Sequence, residues 1–396
     1  LILLASPVAS AQSLDSLRNL LRENNPQLLA LAFDYRAELT TGAQLAQLPD
    51  LEIMGGASIL PVETRLGPQI ARAGVTQMLP WPGTLAAMSR LADARARPLL
   101  EEAAALQLEL IFQLETTYYR IVEAEATVAT LQTSLRLYES LREIALARVE
   151  NARGSSVEVL RSEMETNATL RRIEALRAEQ ALAWTEIEEL VATALPRVLV
   201  VPELRALPPL PADSLFTDHP LVRIFRLREE ISRQSLEMND LEARPDFGVG
   251  VDYIVTGPRT DMEPEGNGRD AILPRVMVRV PLSKGKYDAR RQEEAVRLEA
   301  IAARRRGVVN QLRAALERAV IAAADADARI AFLDRQVELT GAALDIARSE
   351  YANSRRPFDE VLRLQDELVG YRIEALAAQT TLFIQVATAD RYLPRR

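Results

Sequence analysis

Val75 to Ala86 reads VTQMLPWPGTLA, and about 200 residues later Val278 to Ala289 reads VRVPLSKGKYDA. Each stretch ends a strand, passes a proline and a glycine, and opens a long helical run. Proline lacks the N–H that a strand ladder needs and glycine lets the backbone turn, so both stretches mark the same bend. Outward from this pair the two halves match event by event. Asn25-Pro26 corresponds to His219-Pro220, and Leu48-Pro49-Asp50-Leu51 to Arg244-Pro245-Asp246-Phe247. Downstream, Val157-Glu158-Val159-Leu160 corresponds to Asp359-Glu360-Val361-Leu362. The chain reads as one unit written twice, residues 12–195 and 218–396, each a helix, two strands and a long helical hairpin. A Pro-rich connector, residues 196–217, divides them with chemistry that no helix crosses.

The runs from about Leu85 to Arg153 and from about Tyr287 to Arg355 contain a single proline, Pro98. At a rise of about 1.5 Å per residue each helix spans roughly 100 Å, too long for an ordinary globular core. Their apolar residues fall into heptads. Leu114, Ile121, Val128 and Leu135 recur every seven, flanked by Ala124, Leu131 and Tyr138. Ile330, Val337, Leu344 and Tyr351 repeat the pattern, flanked by Leu333 and Ala347, which predicts coiled-coil packing. Short turns then reverse the chain, ARGSS around Gly154 and NSRRP around Pro357, and helices of about 40 residues return. The returning helices are too short to match their partners. Opening helices, Leu14 to about Leu45 and Leu221 to about Glu242, are expected to stack on them and complete the length.

Asp246 to Val255 reads DFGVGVDYIV, with Phe247, Val249, Val251, Tyr253 and Val255 on one side and Asp246, Gly248, Gly250 and Asp252 on the other. Strict alternation over about ten residues is the pattern of a tilted membrane strand. Arg275 to Val280 alternates equally well and places Arg275 and Arg279 on the polar side, which together with Asp252 predicts a lumen lining. Leu51, Ile53, Ala57 and Ile59 form a weaker strand, and Gln69 to Met78 alternates poorly. Four strands leave two open edges, whose unpaired backbone groups would cost several kcal/mol each in hydrocarbon, so closure requires strands from other copies.

Composition narrows the function. Leu1 to Ala11, LILLASPVASA, predicts the apolar end of a secretory signal with cleavage before Gln12. A net charge of −8 and a pI near 5.2 argue against nucleic-acid partners. With no Cys there is neither a disulfide framework nor a lipid-modified cysteine, and no apolar run is long enough for a transmembrane helix. One histidine, no cysteine and seven scattered methionines show no metal cluster or catalytic dyad, so no cofactor and no enzymatic turnover are expected. His219 reads as a helix cap matched by Asn25, Glu188-Glu189 as helix surface, and Trp81 as a packing or interfacial anchor.

In this order and spacing the residues resemble the TolC-like outer membrane efflux proteins, and the resemblance covers the mature chain almost end to end. It implies a mostly α protein with a transmembrane β-barrel portion, a homotrimer whose twelve-stranded barrel sits in outer-membrane lipid of a Gram-negative type envelope. An α-helical tunnel continues across the periplasm toward a periplasmic adaptor and an inner-membrane pump of RND or ABC type. The segment from Tyr351 to Arg363 is similar to the family's tip pattern, which implies gate roles for Tyr351, Arg356, Asp359 and Glu360, with Glu158 at the equivalent place in the first repeat. Gly154, Ser155, Ser156, Arg355 and Pro357 become adaptor-contact tips. Arg363 stands where some members carry a second acid, which departs from a doubly acidic mouth. A rival reading, a periplasmic coiled-coil structural or adaptor protein without its own pore, accounts for the helices and leaves the alternating strands unexplained.

Overall fold

A computed structural model describes residues 13–203, 213–353 and 355–393. The expected signal segment and residues 204–212 of the connector lie outside the described residues. The elements run α1 (Leu14–Asn24), α2 (Pro26–Leu45), β1 (Glu52–Thr64), β2 (Gly67–Leu79), α3 (Thr84–Glu150), α4 (Ser156–Val191), a 3₁₀ turn (Asp213–Asp218), α5 (Pro220–Glu242), β3 (Asp246–Thr256), β4 (Ala271–Arg279), α6 (Lys284–Ala352) and α7 (Phe358–Tyr392). The first opening helix differs from the single run expected. Asn25 adopts an extended conformation and splits it, and its side chain accepts from the backbone N–H groups of Gln27 and Leu28 at 3.0 and 3.3 Å to cap α2. Pro26 then takes the first helical position, where a missing N–H costs nothing.

The chain forms two compact units, and each draws on both repeats. One, residues 1–30, 103–219 and 308–396, is built from helices. Its largest core gathers Leu17, Leu21, Leu114, Tyr118, Ile187 and Val191, all fully buried. At about 1.5 to 3 kcal/mol per large apolar side chain, this cluster is a major source of the unit's stability. Tyr118 packs edge-on against Trp184, and its hydroxyl donates to the Val200 carbonyl at 2.6 Å, holding the start of the connector on α3. Arg18 is buried with Glu115, 2.5 Å apart, and also binds Asp15, so a buried ion pair ties α1 to α3. The heptads are seams as expected. Leu114, Ile121, Val128, Leu131 and Tyr138 are buried on α3, and Leu333, Leu344, Ala347 and Tyr351 on α6.

Two junctions in this unit use the same device. Asn25 Nδ2 donates to the Leu190 carbonyl at the end of α4, 2.9 Å away. His219 occupies the matching place, and its Nε2 lies 3.2 Å from the Arg391 carbonyl at the end of α7, so the ring nitrogen donates there. Each thus satisfies a carbonyl that a helix C-terminus leaves open.

The second unit, residues 31–102 and 220–307, holds a four-stranded antiparallel sheet in the order β1-β2-β3-β4. The two hairpins join side by side through β2 and β3, with Thr76 opposite Gly250 and Gly74 opposite Asp252. β1 runs regularly from Glu52 to Ala57, then shifts register before Val62, which interrupts the alternation expected from Leu51 to Ile59; Leu51 itself precedes the strand. At the bend, Gly83 has φ +93°, a value that needs glycine, and Trp81 stacks on Phe247 with ring centroids 6.0 Å apart.

Candidate functional site

Register sorts the sheet into two chemical faces, because directly opposed residues of an antiparallel pair point the same way. Asp252 shares its face with Gly74 on β2 and Leu273 on β4; Thr76, Gly250 and Arg275 lie across the same face one step on. Here Asp252 has no exposed surface. Arg72 Nη2 reaches its carboxylate at 2.5 Å, Arg275 Nη2 lies 3.6 Å from it, and Arg275 also donates to the Thr76 hydroxyl at 2.5 Å. Gly74 allows this burial: a Cβ there would stand 2.1 Å from the Asp252 carboxylate. Arg279, opposite Asp246, continues the same polar face and is exposed.

The other face is apolar and uncovered. Ile53, Val75, Phe247, Val249, Val251, Tyr253, Ile272, Val276 and Val278 are all exposed, Ile53 and Val276 by three quarters or more of their surface at 79% and 75%. Strands of 13, 13, 11 and 9 residues have the length a tilted membrane strand needs. β1 and β4 each have one edge unpaired within the chain.

The two helix turns lie in the helical unit and close alike. Arg153 N–H donates to the Arg148 carbonyl and Arg355 N–H to the Glu350 carbonyl, both at 2.8 Å, so the duplication survives at atomic detail. In the first turn Ser155 caps α4 by accepting from the Val157 N–H at 3.2 Å, and Ser156 opens the helix. Gly154 passes so close to α3 that a Cβ would meet that of Arg148 at 2.8 Å. In the second turn Arg355 is exposed and Pro357 precedes α7 with no side-chain cap.

Polar contacts then link the turns. The Tyr351 hydroxyl, at the end of α6, donates to Glu158 on α4 at 2.8 Å. Burial, the Glu158 hydrogen bond and the Glu158 charge push the Tyr351 phenol well above its ordinary value, so it stays a neutral donor. Asp359 on α7 pairs with Arg161 on α4. Arg356 binds Glu350 at 2.5 Å and also Glu360, and Arg363 pairs with Glu367 at 2.7 Å. Of the five residues expected at the gate, Tyr351 is joined to Glu158 and Arg356 to Glu360, whereas Asp359 pairs with Arg161. Sequence reasoning missed Arg148, Arg161 and Glu350. Arg148 falls on neither heptad series, which continue to Ala145 and Val149. Among the described residues no group of His, Cys, Asp and Glu could hold a metal ion.

A two-faced sheet with open edges, long heptad hairpins and an internal duplication define the fold of the TolC-like outer-membrane channels. Solved structures with this fold include the outer-membrane channel OprN, matched at 18% identity over 96% of this chain and 89% of that one with a TM-score of 0.76. CusC matches at 15% identity, 96% and 91% coverage and a TM-score of 0.79. The outer membrane protein VceC from Vibrio cholerae matches at 16% identity, 96% and 95% coverage and 0.75. At these identities the likeness is one of fold. No protein-family model and no curated protein matches the chain.

Proposed function

We propose that this chain is the outer-membrane duct of a tripartite efflux system, a passive conduit with a gated periplasmic tip and no catalytic turnover. The observation that carries the reading is the sheet: one face apolar and bare, the other polar and internally paired, with both edges open. Water gives no reason to expose that apolar face, whereas a bilayer does. Edge N–H and C=O groups can be satisfied in lipid only by a closed barrel, so copies must share their strands. Three copies give twelve strands. The neighbours also have apolar surface to cover on the helices, since Phe332, Leu339 and Ile346 recur every seven along α6 and Val157, Leu160 and Met164 line α4, all exposed in the single chain.

In the assembled trimer the polar face with Arg72, Asp252, Arg275 and Arg279 lines the lumen, and the helices form the periplasmic tunnel. The turns face an adaptor that recruits an inner-membrane pump, and Gly154, Ser155, Ser156, Arg355 and Pro357 are the surfaces it meets. Contacts of modest strength hold the tip shut. An exposed pair such as Arg161–Asp359 contributes about 0 to 1 kcal/mol, and the hydrogen bond from Tyr351 to the Glu158 carboxylate about 1.5 to 3 kcal/mol. A gate of this kind opens when a partner offers comparable contacts. Because Glu360 is engaged by Arg356 and Arg363 by Glu367, the mouth is charge-balanced within each chain and is not proposed as an acidic ring. A coiled-coil adaptor without a pore would leave the sheet's apolar face without a cover. Extraction of the membrane-expressed protein separates the two: the duct leaves the membrane only with detergent, and release by salt washes would refute it.

A further inference from the structure

We infer that Arg148, outside the tip motif, is the positioning residue that locks the two helix turns of one protomer into a single block; its gating consequence rests on the channel reading above. Arg148 lies in the last turn of α3, and three of its contacts reach across or around that end. Nη1 donates to the Tyr351 carbonyl at 2.7 Å, and Nη2 donates to the Arg153 carbonyl at 3.3 Å. The guanidinium carbon stands 4.4 Å from the centroid of the Tyr351 ring. The Tyr351 carbonyl lies in the last turn of α6, where unpaired C=O groups and the helix dipole concentrate negative charge, and the Arg153 carbonyl lies in the turn that follows α3. One planar cation thus ties the first turn to the end of α6, and Tyr351 passes the link on to α4 through Glu158.

The geometry requires arginine. A lysine ammonium is a point charge that cannot face two carbonyls and a ring as a rigid fork does. The duplication sharpens the assignment, because the matching position in the second repeat is Glu350, of opposite charge. Glu350 binds Arg356 within its own turn, whereas Arg148 reaches across to the other turn. Gly154 keeps the first turn close enough for this arrangement. The Nε of Arg148 is buried with no acceptor, so the latch is held below its full strength and is suited to release.

The absence of cysteine permits a direct test, since spin labels on Ser156→Cys and Arg355→Cys report the separation of the two exposed turns. The full chain in detergent should give a narrow distance distribution. Arg148→Ala should broaden it and raise tip openings in planar bilayers severalfold, with Arg148→Lys intermediate. Gly154→Ala, which displaces Arg148 without removing its charge, should move both readouts the same way and carries the test if Arg148→Ala fails to assemble. Separation and gating equal to wild type in Arg148→Ala and Gly154→Ala, at unchanged helix content, would overturn the latch. A broadened distribution in a protein that never conducts would uphold the latch and sink the channel reading instead.

Discussion

Arg356 shows how a single side chain sets the state of the second turn, because it holds Glu350 and Glu360 at once. Arg356→Ser removes both links and leaves the heptad seam untouched, so more frequent conducting openings at unchanged thermal stability are expected in single-channel records. Unaltered openings would count against its gate role. His219 gives a pH signature. Burial holds its ring below the ordinary histidine value of 6.5, with the Arg391 carbonyl opposing the shift and the Arg391 charge adding to it. The fold therefore accepts the neutral ring, and its contribution to stability is complete above about 6.5 and declines as pH falls through the depressed value. His219→Asn, which copies Asn25 of the other repeat, should lose less of its unfolding midpoint than wild type on moving from about pH 7.5 to about pH 5. Equal losses would refute the assignment. At this scale the sequence was only partly legible. The tip residues were named through the resemblance to the family's tip pattern, whereas Arg148 and Arg161 make contacts some two hundred residues distant, which no local pattern encodes.

The seams and the second-repeat strands were plain because their periods are strict, three and four along the helices and two along the strands. The first-repeat strands were harder to see. Gly55, Gly56 and Ala57 carry little apolar signal, and a register shift after Ala57 ends the alternation. The break at Asn25 was visible only as a dipeptide, since Asn is a good cap whose effect depends on whether its side chain turns to the following N–H groups. The strands also supply the sharpest test at this scale. Val251 sits mid-strand on the bare apolar face, opposite Val75 and Pro274. Val251→Arg should cost about 2 to 4 kcal/mol on insertion into lipid and abolish refolding into vesicles. Arg279→Gln, on the polar face, should refold as wild type does. Equal refolding of both variants would remove the lipid assignment of that face.

For the whole molecule the duplication is the organising fact. Each repeat alone supplies two strands and one helical hairpin, and the repeats pair through β2 and β3 into a sheet that still has open edges. On the proposed channel reading, closing those edges takes strands from other copies, and the closed ring encloses the lumen. The most direct measurement combines the mass of the detergent-solubilised particle with its conductance in a planar bilayer. The account predicts three chains per particle and discrete ion-conducting steps. A single chain that stays in solution without detergent and leaves the bilayer silent would contradict it.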